Sequence, residues 1–182
     1  FVSGQIVIDG NARSAGFKHY NLQVFPNGNP AQLQTLVWNA PDPRSNFSLG
    51  FWDTTQVSDG PYTILLQVFN QDNVVVEETR RIVTVDNSPP QVSIAFPFEG
   101  QQFFTNDEFL VVQAQATDDN AIERVEFFRN SAGVPFAIST VPPFTEKWNI
   151  TGAGCQSFRV RVTDGAGNRS WSEPVNICVV QN

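Results

Sequence analysis

Short runs of alternating β-formers, separated by turn residues at near-regular spacing, run the length of this chain. They are GQIVIDG, HYNLQVF, YTILLQVF and ETRRIVTV, then FLVVQAQA, RVEFF, FRVRV and PVNICVV. Alternation with period two puts successive side chains on opposite faces of a strand. No stretch sustains the i, i+3, i+4 apolar pattern of an amphipathic helix. Many short strands with turn signals between them build two packed sheets, so helix content is expected to be close to none. Composition agrees: Phe occurs 16 times and Val is frequent, while Ala, Leu, Lys and Glu are sparse.

The two halves repeat one another. WDTTQVSDGPYTILLQVFNQDN at 52–73 runs parallel to WNITGAGCQSFRVRVTDGAGN at 148–168, and IVIDGNA at 6–12 echoes VVQAQAT at 111–117. The second half has one additional strand at its start, PQVSIAFP, which the first half lacks or shortens. Each copy therefore reads as a seven-strand Greek-key sandwich, over residues 1–87 and 88–182. Between the last strand of one and the first of the next lie only Asp86 to Pro90. Pro89 restricts Ser88, and Pro90 restricts Pro89, so the joint is expected to run extended and semi-rigid. Trp52 and Trp148 are expected as core plugs between the sheets. Tyr62, after the turn SDGP, is placed as a tyrosine corner, its ring buried and its hydroxyl bonded to backbone of that turn. The chain starts at Phe1 and contains no Met, so it reads as a segment of a longer protein.

Several functions fit this composition poorly. A net charge of -7 opposes nucleic-acid binding, which needs basic stripes to replace counterions on phosphates. Nothing approaches the length of apolar run that inserts into a membrane. The lone His19 has no nucleophile elbow near it, and the carboxylates lie in loops without apolar enclosure, so an enzyme is not expected.

The phrases WDTTQVSDGPYTILLQV, VTVDNSPPQVSIAFPFEG, ATDDNAIERVEFF, VPPF and VTDGAGNRSWS resemble tandem bacterial immunoglobulin-like domains of the Big or fibronectin-III type. The resemblance covers nearly the whole chain. It implies an all-β fold of two tandem immunoglobulin-like Greek-key β-sandwiches, of the kind appended to secreted or cell-wall enzymes such as penicillin-binding proteins. It further implies a non-catalytic module that is extracellular, cell-surface or periplasmic, whose first partners are other domains of the same polypeptide. It does not imply a ligand. Cys155 and Cys178 depart from the family's usual pattern.

Those cysteines lie on neighbouring strands whose antiparallel register centres on Ala166 and Gly167, which sets them opposite one another at bridging distance. A disulfide is expected, as suits an oxidising compartment, against the alternative of two buried thiols. Calcium is the candidate cofactor. Loop oxygens of Asp53, Asp59, Asp86, Asn87, Asp118, Asp119, Asp164 and Asn168 are candidate ligands at the domain junction, since calcium accepts several oxygens in irregular geometry. The alternative is that these side chains cap their own turns. Phe51, Phe103, Phe104 and Trp171, near expected turns or edges, are candidate ligand-facing aromatics for a cell-wall glycan or a protein partner. Three readings follow: a spacer and interaction module, a carbohydrate or peptidoglycan binder, and a calcium-stiffened adhesion rod.

Overall fold

The computed structural model describes residues 1–182, and the chain divides into two compact units, Phe1–Asn87 and Ser88–Asn182. Helix is limited to single 3-10 turns at Pro30–Gln32 and Thr54–Gln56.

The first unit has six strands: β1 (Gln5–Ala12), β2 (Phe17–Pro26), β3 (Gln34–Ala40), β4 (Arg44–Asp53), β5 (Gly60–Asn70) and β6 (Val75–Val85). β1 and β4 form a two-stranded sheet, and the other sheet runs β3-β2-β5-β6. A parallel bridge joins Val2 to Val85. Between the sheets, Tyr20, Leu22, Leu49, Leu66 and Val68 form one buried cluster, and Val24, Trp52, Tyr62 and Val85 another. β4 closes onto this core at Gly50. A Cβ there would stand 2.8 Å from Val37 Cγ2 and 3.0 Å from Leu22 Cδ2. The buried Tyr20 hydroxyl ties the sheets together by donating to the Leu49 carbonyl at 2.8 Å. Tyr62 is buried and edge-on to Trp52, with ring centroids 5.3 Å apart. Its hydroxyl meets the Ser58 hydroxyl at 3.4 Å. That corrects the expected backbone partner: the Ser58 side chain occupies the turn in front of it.

The second unit has nine strands: β7 (Gln91–Phe96), β8 (Gln102–Phe104), β9 (Phe109–Thr117), β10 (Ile122–Arg129), β11 (Ala137–Ser139), β12 (Thr145–Asn149), β13 (Gly154–Asp164), β14 (Arg169–Trp171) and β15 (Val175–Val180). One sheet is β12-β9-β7; the other is β11-β10-β13-β15-β8, with β14 also on β13. After β7, at the cis Phe96–Pro97 bond, the chain crosses between sheets, and β8 pairs parallel with β15. Pro142–Pro143 is also cis. Leu110, Val112, Phe127, Trp148, Phe158 and Val160 are among the buried core. The last strand is interrupted. β14 pairs Arg161 with Trp171, whereas β15 pairs Phe158 with Val175, a one-residue change of register. Ser172 fills the break: its amide donates to Val160 O at 2.9 Å, and its hydroxyl accepts from Val160 N at 3.0 Å. The bulge therefore leaves these core-facing groups paired.

Equivalent registers recur in the two units. Ile6 stands opposite Trp52 as Leu110 stands opposite Trp148, and Gly60 opposite Val85 as Gly154 opposite Val179. Ile6 thus corresponds to Leu110, one residue from where the echo of IVIDGNA with VVQAQAT puts it.

Cys155 and Cys178 are opposed on β13 and β15 and joined by a disulfide, 23 residues apart in sequence. Closing a loop of that length restricts the unfolded chain by about 3 kcal/mol in the loop-entropy model. Replacing both with Ser is expected to lower stability by about that amount, measured by urea unfolding of the second unit. It should leave the β13–β15 amide protection pattern recognisable in the folded state.

Candidate functional site

The polar residues picked out as candidate ligands are, first of all, turn builders. In the first unit Asp53 caps the 3-10 turn, accepting from Thr55 N at 3.1 Å and Thr55 Oγ1 at 2.7 Å. Asn87 is a clamp. Its side-chain oxygen accepts from Gly4 N at 3.1 Å and Thr54 Oγ1 at 2.9 Å, while its Nδ2 donates to Thr54 O at 2.9 Å. Asp59 holds the same residue, accepting from Asn87 N at 2.8 Å and Asn87 Nδ2 at 3.2 Å. Together these bonds tie the ends of β4 and β6 to the segment leading into β1. Asp86 follows β6, and its amide donates to Val2 O at 3.0 Å.

In the second unit the turn between β13 and β14 is organised by Asp164, which is fully buried. Asp164 Oδ1 accepts from Ala166 N at 2.8 Å and Asn168 N at 2.9 Å, and Oδ2 accepts from Asn168 Nδ2 at 2.8 Å. Gly167, at φ +93°, supplies the left-handed residue the turn requires. Asn168 Nδ2 also donates to Ser88 O at 3.3 Å, which ties the turn to the start of the unit. Asp118 makes a smaller turn of the same kind, accepting from Asn120 N at 2.9 Å. The Asp118 and Asp164 carboxylates approach within 4.8 Å of one another. Asp118 and Asp119 also line a shallow polar recess with Ser88, Pro89 and Gln91.

The four candidate aromatics fall in two units, Phe51 in the first and Phe103, Phe104 and Trp171 in the second. Phe103 is a correction: it packs partly buried against the second core, edge-on to Phe96 at 6.2 Å, because β8 alternates and turns this ring inward. Phe104, its neighbour on the outward side, is 43% exposed. Phe51, 71% exposed, belongs to the first unit, where it stands opposite Val7. Trp171 lies against Phe128 at 4.8 Å, and the guanidinium groups of Arg159 and Arg161 sit 5.1 and 5.3 Å from its ring. Beside these contacts Trp171 remains 45% exposed.

That stack is part of a row that the sequence reading missed. Glu126, Arg161 and Trp171 are successive cross-strand partners on β10, β13 and β14. The Glu126–Arg161 pair is bidentate, with Arg161 Nε donating to Oε2 and Nη2 to Oε1, both at 2.8 Å. The Arg161 hydrogen bonds hold the Glu126 carboxyl below its usual range despite its burial, and they raise the Arg161 pKa in turn. Alternating charges in IERVEFF and FRVRV were the available signal: outward positions on consecutive strands face one another.

The chain is thus a pair of β-sandwiches of immunoglobulin and fibronectin-III type. Residues 90–164, within the second unit, match the model of a family described as bacterial Ig domain, and the first unit repeats strand registers of the second. No curated protein matches the chain. Among solved structures, the fibronectin(III)-like modules of Clostridium thermocellum CbhA align with TM-score 0.56 at 17% identity, over 99% of this chain and 87% of that one. The FN1–FN3 domains of chicken CNTN1 align at 0.47 and 12% identity, over 98% and 67%. Dimeric latent PorU of Porphyromonas gingivalis aligns at 0.37 and 16% identity, over 98% of this chain and 18% of that one. At such identities the likeness to CbhA is one of fold.

Because the Glu126 pKa is depressed by folding, the pair stabilises the protein fully above the unfolded carboxyl range and loses that contribution as pH falls through the folded value. Glu126→Gln is expected to cost about 1–3 kcal/mol at pH 7. The deficit should shrink as pH falls through the folded Glu126 pKa, which paired urea melts across acid pH would measure.

Proposed function

We propose that the chain is a non-catalytic extracellular spacer and interaction module, which positions or presents a larger bacterial surface or cell-wall protein. The observation that carries this is the path of the backbone through the second unit. The chain enters beside Gln91, opposite Thr117 at one pole, and leaves at Val180, beside Phe104 at the other. The 11-residue β13 links these poles, about 36 Å apart at ~3.3 Å per residue. A module that takes in chain at one pole and releases it at the other sets a distance between whatever precedes and follows it. The disulfide supports the reading twice: it staples the exit strand to the longest strand of the unit, and it suits an oxidising compartment. No helix is long and apolar enough to cross a membrane.

The spacer reading is tested in the host polypeptide. Exchanging this pair for an unrelated immunoglobulin-like pair of equal length should preserve host activity, whereas deleting it should not. Saturable retention of the purified chain on insoluble peptidoglycan would overturn the reading in favour of a glycan-binding module.

A calcium ion is the second reading, favoured by the approach of Asp118 and Asp164 within the second unit. It predicts a higher melting temperature in millimolar calcium than in EDTA, with the difference abolished by Asp118→Asn. Identical melts in the two buffers would leave both residues as turn formers only.

A further inference from the structure

The outer face of the sheet that holds β11, β10, β13 and β14 carries charge against the trend of the chain. Val125, Phe127, Val160 and Val162 belong to the core, so by alternation Arg124, Glu126, Phe128, Arg159 and Arg161 face outward. Cross-strand pairing sets them in rows. Phe128 stands beside Arg159, and Arg124 stands across Thr163 from Arg169. Between them runs the row Ile138, Glu126, Arg161, Trp171. Four arginines thus share one face, in a chain with 11 basic residues and a net charge of -7. The only carboxylate in these rows, Glu126, is buried and committed to Arg161. Glu123, at the register shift in β10, pairs with Arg124 at 3.0 Å. Arg159 and Arg169 have no ion-pair partner.

The face is also held in place. Phe128 faces outward yet is buried, against the Trp171 ring at 4.8 Å and the Arg161 guanidinium at 5.3 Å. Arg159 and Arg161 lie in turn against Trp171. Stacking uses the flat face of a guanidinium and leaves its N–H edge free. Arg159 commits only its Nε, which donates to Ser172 O at 3.3 Å. Cations fixed in this way lose little freedom when they meet an anion. Exposed Ile138 and Trp171 end the central row, about 14 Å apart at ~4.8 Å per strand.

We propose that this face docks an acidic segment of a protein partner, with carboxylates against Arg159 and Arg169 and apolar side chains against Trp171 and Ile138. Charge complementarity selects the acid: two unpaired guanidinium groups on an otherwise acidic chain steer a carboxylate to this face. Their planar forks match a carboxylate bidentately. The mixture of Arg, Trp and an aliphatic residue is that of a protein contact surface. A polyanion without apolar groups would leave both ends of the central row bare. The inference rests on the interaction role proposed above and gives it a partner class. Its test uses the purified chain alone, so its failure is distinct from failure of the spacing role in the host.

Fluorescence anisotropy is measured with three labelled probes: a short peptide of Glu interspersed with Leu, the same peptide with Gln for Glu, and poly(glycerol phosphate). The acidic peptide should bind saturably, and more weakly as salt is raised. The Gln peptide should not bind, and poly(glycerol phosphate) should bind on the order of tenfold more weakly than the acidic peptide. Arg169→Gln should weaken the acidic peptide on the order of tenfold, since it removes a charge-assisted contact. Arg13→Gln makes the same change of charge at an exposed position of the first unit and should have no effect. Ile138→Ser, also at an exposed position, should weaken the acidic peptide without changing the charge. Unchanged amide protection of β13 shows that each variant is folded. The proposal is overturned if the acidic peptide does not bind, or if Arg169→Gln and Arg13→Gln weaken it equally. It is also overturned if Ile138→Ser has no effect, or if poly(glycerol phosphate) binds as tightly as the acidic peptide, which would make an anionic polymer the occupant.

Discussion

One indole in each unit, carried in on a strand of one sheet and lodged against an aromatic of the other, is the contact on which the registers depend. Trp52 of β4 meets Tyr62 of β5 at 5.3 Å, and Trp148 of β12 meets Phe158 of β13 at 5.6 Å. Each aromatic buries on the order of 150–250 Å². Once such a ring must point inward, the period of two decides the face of every other residue on its strand and on the strand opposite. Ile6 and Leu110 face inward because they stand across from those indoles. The outward neighbours Val7 and Val111 follow without any preference of their own.

The same rule explains what the sequence made legible and where it failed. Strand positions, the near-absence of helix, and two core Trp residues were readable from alternation and turn residues. The opposition of Cys155 and Cys178 was readable because β13 and β15 keep one register over the five pairs from Gly154–Val179 to Phe158–Val175. The echo of IVIDGNA with VVQAQAT fails by one residue because both Val7 and Val111 are apolar yet face outward. Hydropathy matched inward Ile6 with outward Val111, while the pleat makes Leu110 the counterpart of Ile6. Phe103 was misplaced for a related reason: two adjacent Phe residues give no clue to which one turns inward. Glu126 was overlooked because its burial depends on a cross-strand partner, Arg161, that lies 35 residues away.

The acidic loops illustrate a different limit. A carboxylate offers about four acceptor sites. Asp164 gives three of them to Ala166 N, Asn168 N and Asn168 Nδ2. Asn87 is similarly committed, since its amide oxygen accepts two hydrogen bonds and its Nδ2 donates two. Sequence places such residues in turns because Asp, Asn and Gly are the residues turns require. It cannot count how many lone pairs remain once the turn has formed, and that remainder is what a calcium ion would bind.

The two units, read against each other, separate what the plan requires from what each copy adds. Both use a Trp opposite an aliphatic residue, a Gly opposite the last strand, and a parallel segment on the final strand at Val2 or Phe103. The second carries a disulfide between β13 and β15. The first has instead a three-way polar clamp of Thr54, Asp59 and Asn87, which secures the final strand to the β4–β5 connection. Each fastens the last strand of its unit to a neighbouring segment, one covalently through Cys155 and Cys178 and the other through the hydrogen bonds of Asn87.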